Sequence, residues 1–247
     1  MRPEKRPAIT WLKAALSFLY PEICQVCRAE RAGQSQGFVC DVCRSKLRFI
    51  EPPYCDRCGL PHEGAITASY ECGQCQETKP HFSKARSAVA ARDAVLDVIH
   101  QYKYNRAIWF EGFLAELLIR RAVPQLPAEH WHWIVPVPLY STRERQREFN
   151  QAERLATRLS AAAGIPMDKH LVKRVVATRT QTLLSREERL ANMRKAFAMV
   201  KGRTLAGECI VLVDDVFTTG ATTSSCAKTL LEAGAAEVCV WTVARGT

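Results

Sequence analysis

From about Ala85 onward, the alternation of apolar and polar positions reads as strands and helices in turn. ARSAVAA predicts a strand. DAVLDVIHQYKY sets Val95, Leu96, Ile99 and Tyr102 at helical spacing, and IWFEGFLAELLIRRAV predicts a second helix. Pro124 to His130 forms a loop, WIVPVP a short buried strand ending in Pro-x-Pro, and FNQAERLATRLSAAAG a helix with Gly164 as its stop. LVKRVV predicts a strand and REERLANMRKAF a basic helix. ECIVLVDD predicts an uninterrupted apolar strand ending in two acids, ATTSSCAKTLLEAGA a helix, and EVCVWTVAR a closing strand. Apolar runs of this kind, alternating with helices, imply a parallel sheet covered on both faces. Ligands of such folds bind beyond the carboxyl ends of the strands.

The head of the chain has a different pattern. Ile9, Leu12, Leu16 and Leu19 fall on one helical stripe, which predicts a short amphipathic helix within residues 1–21. MRPEKRP followed by AITWLKAALSFLY is similar to the first two regions of a signal peptide. However, Lys13 interrupts the apolar run and no small-x-small cleavage site follows. No run approaches the roughly 20 apolar residues that span a bilayer. The expectation is a cytoplasmic protein without a transmembrane segment.

Between these two parts lie most of the cysteines. The chain has 11 Cys, eight of them in four Cys-x-x-Cys pairs: Cys24/Cys27, Cys40/Cys43, Cys55/Cys58 and Cys72/Cys75. Two thiolate pairs complete a tetrahedral S4 shell around one metal ion, and the loops between pairs are close to zinc spacing. Few aliphatic residues accompany them, so the segment has little to fold around without metal. A disulfide framework and a redox-active Cys-x-x-Cys are the alternatives. The first needs a secretory context, and four tandem pairs are too many for the second. We therefore expect two structural Zn2+ over residues 22–80, paired sequentially, although an interleaved pairing is compatible with the spacing. Cys209, Cys226 and Cys239 stand in apolar surroundings and read as small buried hydrophobes.

The formal net charge is +10, and the span from Tyr140 to Arg203 carries 15 Lys+Arg against 6 Asp+Glu. A solvated surface can carry single charges of this kind, but a concentrated cluster favours an anionic partner. With eight thiolates and two Zn2+ the balance falls to roughly +6.

VLVDDVFTTGATTSS, Val211 to Ser225, is the most specific stretch. A loop of Thr, Gly and Ala running into a helix offers backbone N–H groups, hydroxyls and the helix dipole to a phosphate. Two carboxylates ahead of it would repel a bare phosphate. They suit a ligand with vicinal hydroxyls beside its phosphate, such as a ribose 5-phosphate. An ordinary strand–turn–helix with a Thr N-cap accounts for the loop but for neither acid.

VLVDDVFTTGATT resembles the phosphoribosyl pyrophosphate (PRPP) motif of type I phosphoribosyltransferases. PVPLYSTRERQREFNQAERLA, TRTQTLLSREERLANMRKAF and the tandem Cys-x-x-Cys head resemble the ComF/GntX-like competence family. The resemblance covers almost the whole chain. It implies an α/β type I phosphoribosyltransferase fold over residues 84–247, behind an N-terminal double zinc ribbon. It implies that Asp214 and Asp215 hold the ribose hydroxyls and that Thr218, Thr219, Gly220, Ala221 and Thr222 cradle the 5-phosphate. Pro136, Val137, Pro138 and Leu139 would form the pyrophosphate loop. Arg174, Arg179, Arg186 and Arg189 would occupy the mobile catalytic loop, and Lys103 matches a recurrent Lys. Mg2+ would accompany PRPP, and single-stranded DNA or proteins of the competence machinery are implied partners. Arg179 and Arg186, with Asp214 and Asp215, are the implied catalytic residues. One departure is Glu148, which stands where the family has Gly before Phe-Asn-Gln.

Overall fold

The computed structural model describes residues 22–64, 68–176 and 196–246. The expected helix within 1–21, and all but the last two residues of the expected basic helix REERLANMRKAF, lie outside these.

Four parallel strands form the central sheet. They are β1 (Ala85–Ala90), β2 (Trp133–Pro136), β5 (Cys209–Phe217) and β6 (Glu237–Arg245), in the order β1-β6-β5-β2. β5 is apolar at every position to Val213 because both of its faces are covered. Val211 and Val213 belong to one core layer, Ile210 and Leu212 to the other. Helices α3 (Asp93–Tyr104), α4 (Glu111–Ala122) and α6 (Gln151–Ala163) supply the first layer, through residues such as Tyr102, Leu114 and Leu155. Helix α7 (Ala221–Glu232) supplies the second, through Cys226, Ala227 and Leu230. Gly164 is left-handed (φ 70°) and ends α6, as its place in the sequence predicts.

Three elements differ from expectation. LVKRVV does not join the sheet: β3 (Val172–Arg174) pairs antiparallel with β4 (Phe197–Met199) in a separate two-stranded ribbon. A short helix α5 (Ser141–Arg147), with no apolar stripe to announce it, fills the loop after β2. The strand ECIVLVDD does not stop at its acids. β5 runs on to Phe217 because Val216 and Phe217 still pair with Ala244 and Arg245 of β6.

The cysteine-rich head, with its short helices α1 (Asp41–Ser45) and α2 (Gly73–Thr78), straddles the β1 edge of the sheet. Residues 48–50 pair antiparallel with β1: Ala90 N–H donates to Arg48 O at 2.9 Å and Ile50 N–H to Ala88 O at 3.1 Å. The edge is thus covered rather than left open to another chain. Three of the first four cysteines, Cys24, Cys40 and Cys43, share the core layer of α4, while Cys27 is exposed, and there Arg44 pairs with Glu116 at 2.9 Å and lies over the Phe113 ring. The last four share the layer of α7. One ribbon therefore packs on each face.

Candidate functional site

The eight head thiols form two quartets, Cys24–Cys27–Cys40–Cys43 and Cys55–Cys58–Cys72–Cys75, each with its sulfurs within 4.8 Å of one another. The expected sequential pairing is the observed one. Cys24–Cys43, Cys27–Cys40 and Cys58–Cys72 are 3.7–3.8 Å apart. Four sulfurs at the usual Zn–S length of about 2.3 Å define tetrahedron edges of about 3.8 Å. Backbone N–H groups point at the sulfurs: Cys40 and Cys43 donate to Cys24 and Cys40, and Cys58 and Cys72 both donate to Cys55, at 3.3–3.5 Å. Such donors orient and stabilise thiolates. The residues present fit two structural Zn2+.

At the carboxyl end of the sheet, the cradle assembles from β5 and the first turn of α7. Asp214, Val216, Phe217 and residues 218–223 line a cavity of about 40 Å³, the scale of one oxyanion rather than of a whole sugar. Gly220 is left-handed (φ 75°), and a Cβ there would lie 2.4 Å from Phe217 Cζ. Only glycine satisfies both constraints. Thr218 and Thr219 are exposed, and Thr223 Oγ1 donates to Gly220 O at 3.0 Å. Ala221 N–H leans on Thr219 Oγ1 at 3.4 Å, and Thr222 lines the cavity beside it.

The two acids have different surroundings. Asp215 is buried, 6% exposed, and takes Lys103 Nζ at 2.8 Å. Asp214 accepts the Asp215 N–H at 2.8 Å and faces the cradle. Burial, and then the adjacent Asp215 charge, push its carboxyl up to about 7, against the pull of Lys103 and Arg174. Lys103, whose role the resemblance leaves undefined, is placed as the counter-ion of Asp215.

A larger cavity of about 330 Å³ lies beside the end of β2. Pro136, Pro138 and Leu139 line it together with Asn150, Lys169, Lys173 and Arg174. Val137 points elsewhere. Its side chain is core, its N–H donates to Val213 O at 2.9 Å, and its carbonyl accepts from Asn150 Nδ2 at 3.2 Å. The structure thus joins the Pro-Val-Pro-Leu segment to basic residues of the β3 region, and Asp214 to residues 218–223. Arg179, Arg186 and Arg189 lie outside the described residues.

Glu148 takes the left-handed conformation (φ 65°, ψ −9°) as the C-cap of α5. That is the physical reason a glycine suits this position. Its carboxylate turns outward to Arg106 at 2.8 Å, both side chains being 59% exposed.

The sequence misplaces Cys209 and gives no sign of two contacts between the head and the parallel domain. Cys226 and Cys239 are fully buried, but Cys209 is only partly so and its sulfur lies with His130 and Glu237 within 4.8 Å. Gln74, between Cys72 and Cys75, reaches Thr219 O at 3.4 Å, and Arg245 reaches Cys58 Sγ at 3.2 Å. Nothing local in the sequence marks contacts between residues so far apart.

These features define a class: a double zinc ribbon clamped across the edge of a parallel α/β domain that carries a small polar cavity at the carboxyl end of its sheet. The double zinc ribbon domain family matches residues 15–76. The DNA utilization protein YhgH of Salmonella typhimurium is 34% identical over 232 residues, which cover 91% of this chain and 97% of that protein. Competence protein F of Haemophilus influenzae is 32% identical over 211 residues, 84% of this chain and 90% of that one. The chain belongs to this YhgH/competence protein F family. Competence protein ComFC of Bacillus subtilis is a more distant relative at 28% identity. Among solved structures, a purine phosphoribosyltransferase from Pyrococcus horikoshii aligns over 54% of this chain and 83% of its own, with 17% identity and a TM-score of 0.37. An adenine phosphoribosyltransferase from Thermoanaerobacter pseudethanolicus aligns over 67% and 92%, with 16% identity and a TM-score of 0.36. Among the described residues no helix is long and apolar enough to cross a membrane.

Proposed function

We propose that this chain binds PRPP with Mg2+ at the carboxyl edge of its sheet and transfers the phosphoribosyl group to an acceptor, in the handling of incoming DNA. The observation that carries the reading is the juxtaposition of Asp214 with residues 218–222, a carboxylate and a phosphate-sized cradle in one cavity. In this reading the first turn of α7 and the hydroxyls of Thr218, Thr219 and Thr222 take the 5-phosphate. Asp214 and Asp215 accept hydrogen bonds from the ribose hydroxyls. The Pro136–Leu139 segment, with Lys173 and Arg174, faces the pyrophosphate. The leaving group departs from an oxocarbenium-like anomeric carbon, and Arg179 and Arg186 meet its charge.

Hard oxygen donors such as the Asp214 carboxylate fit a magnesium ion held mainly by the ligand's own phosphates. When bound, such an ion would supply positive charge against the pyrophosphate.

The DNA part of the reading rests on the names of the relatives, a DNA utilization protein and competence proteins. The same names and the basic stretch of residues 140–203 favour a second reading, in which the fold handles single-stranded DNA or senses PRPP without turnover. The chain would then work in the cytoplasm with competence-machinery proteins.

Titration calorimetry of zinc-loaded protein with PRPP, with and without Mg2+, tests the first reading. Binding that needs Mg2+ and is lost in Thr219→Arg supports it, and pyrophosphate release with an acceptor, abolished by Asp215→Asn, completes it. An unresponsive wild type that binds single-stranded DNA with a steep salt dependence favours the second.

A further inference from the structure

Arg245, the last residue of β6, is 1% exposed. Its Nη2 donates to Cys58 Sγ at 3.2 Å, while its Nε and Nη1 make no hydrogen bond. Among the described residues it has no carboxylate partner. A buried guanidinium needs a counter-charge. Four thiolates around one divalent zinc carry about −2, so the second quartet supplies it.

The same guanidinium lies over the Phe217 ring, 4.7 Å from its centroid. That ring sits directly beneath Gly220, where a Cβ would come within 2.4 Å of it. Phe82, from the segment that follows the ribbon, meets Phe217 edge-on at 5.8 Å. Two further contacts run from the ribbon and the segment after it to the cradle and the helix behind it. Gln74 Nε2 donates to Thr219 O at 3.4 Å, and His81 N–H donates to Ser224 Oγ of α7 at 3.1 Å. Among the described residues the first quartet has no such connection. It packs with α4 on the opposite face of the sheet.

We infer that the second zinc site is part of the cradle's framework: Arg245 neutralises the zinc–thiolate cluster and holds Phe217 under Gly220, so that zinc at Cys55, Cys58, Cys72 and Cys75 and an anion at residues 218–222 stabilise one another. The inference takes its probe, PRPP, from the reading above. Such coupling is reciprocal and of the order of tenfold in each direction.

The experiment follows chelator-driven release of the two zinc equivalents, with and without saturating PRPP–Mg2+, in the wild type, Arg245→Gln, Arg245→Lys and Gln74→Ala. PRPP should slow release of one equivalent about tenfold and leave the other unchanged. Arg245→Gln should speed release of that same equivalent and weaken PRPP binding about tenfold. Arg245→Lys, which restores the charge but not the planar stacking, should recover slow release more fully than it recovers PRPP binding. Gln74 is exposed, so Gln74→Ala should keep the fold, weaken PRPP binding about threefold and shrink the PRPP effect on release. Arg44→Gln, at the first ribbon, should leave PRPP binding unchanged. Equal effects of PRPP on both equivalents, or PRPP binding and zinc release that vary independently across the variants, would overturn the inference. If the wild type does not bind PRPP, the functional reading fails by itself. Hydrogen exchange at residues 217–224 then decides the coupling: protection lost in Arg245→Gln sustains it, and unchanged protection sinks it.

Discussion

Lys103 Nζ lies 2.8 Å from Asp215 Oδ1, and both side chains are largely withdrawn from water, at 19% and 9% exposure. The pair joins the last turn of α3 to the carboxyl end of β5 and fixes the more buried of the two acids. Removing one partner leaves the other as an uncompensated charge, which costs about 3–5 kcal/mol in a fully buried site. The residual exposure here reduces that. Lys103→Met should destabilise by about 2 kcal/mol in denaturant unfolding, and Lys103→Met/Asp215→Asn should recover part of the loss. Additive losses would show that the two do not act as a pair.

Gly220→Ala introduces a Cβ that must displace the Phe217 ring, at a backbone angle alanine avoids. A loss above about 1 kcal/mol in stability is expected, together with loss of phosphate or PRPP binding. A folded Gly220→Ala protein with wild-type anion affinity would show that the cradle does not hold the anion.

At Glu148 the left-handed backbone burdens a side-chain-bearing residue by about 1–2 kcal/mol. Glycine relieves that but gives up the exposed Arg106 pair and some chain stiffness. Glu148→Gly should therefore unfold within about 1 kcal/mol of the wild type, whereas Glu148→Val, β-branched, should lose about 1–2 kcal/mol. Equal melting of the two variants would contradict the φ of 65°.

Asp214 gives a pH signature. Its folded-state carboxyl titrates near 7, above the ordinary 3.8, because burial and Asp215 disfavour its charge. The folded state then holds a proton that the unfolded state has released. Stability from this group is complete below the ordinary value and is lost as pH rises from about 4 to 7. Asp214→Asn should flatten the wild-type decline in melting temperature across that window. An unchanged slope would place the titration elsewhere.

Stripping both quartets with a chelator should unfold the head, which has little apolar core of its own. It should also uncover the β1 edge now paired with residues 48–50. Loss of amide protection at residues 85–90 and concentration-dependent association are the expected readouts. Intact protection there would mean that the parallel domain closes its own edge.

The alternation of strands and helices, the four Cys-x-x-Cys pairs and the DDxxTTGATT run are legible in the chain before it folds. In each case the information is local: a buried parallel strand must be apolar throughout, a metal knuckle needs its thiols two residues apart, and a phosphate cradle is one continuous turn into a helix. Glu148 in place of the family's glycine left the local turn open in the sequence, and the structure shows that it keeps the left-handed backbone. Three-dimensional packing settles the sequential grouping of the thiols and takes LVKRVV out of the sheet, because a short apolar segment pairs equally well with β4. It alone placed Lys103 on Asp215, Val137 in the core, and one ribbon on each face of the sheet. The link from Cys58 through Arg245 to Phe217 spans residues 187 positions apart. Its residues meet because β6 ends where the second ribbon folds back over the sheet edge, and no period, spacing or composition encodes that meeting.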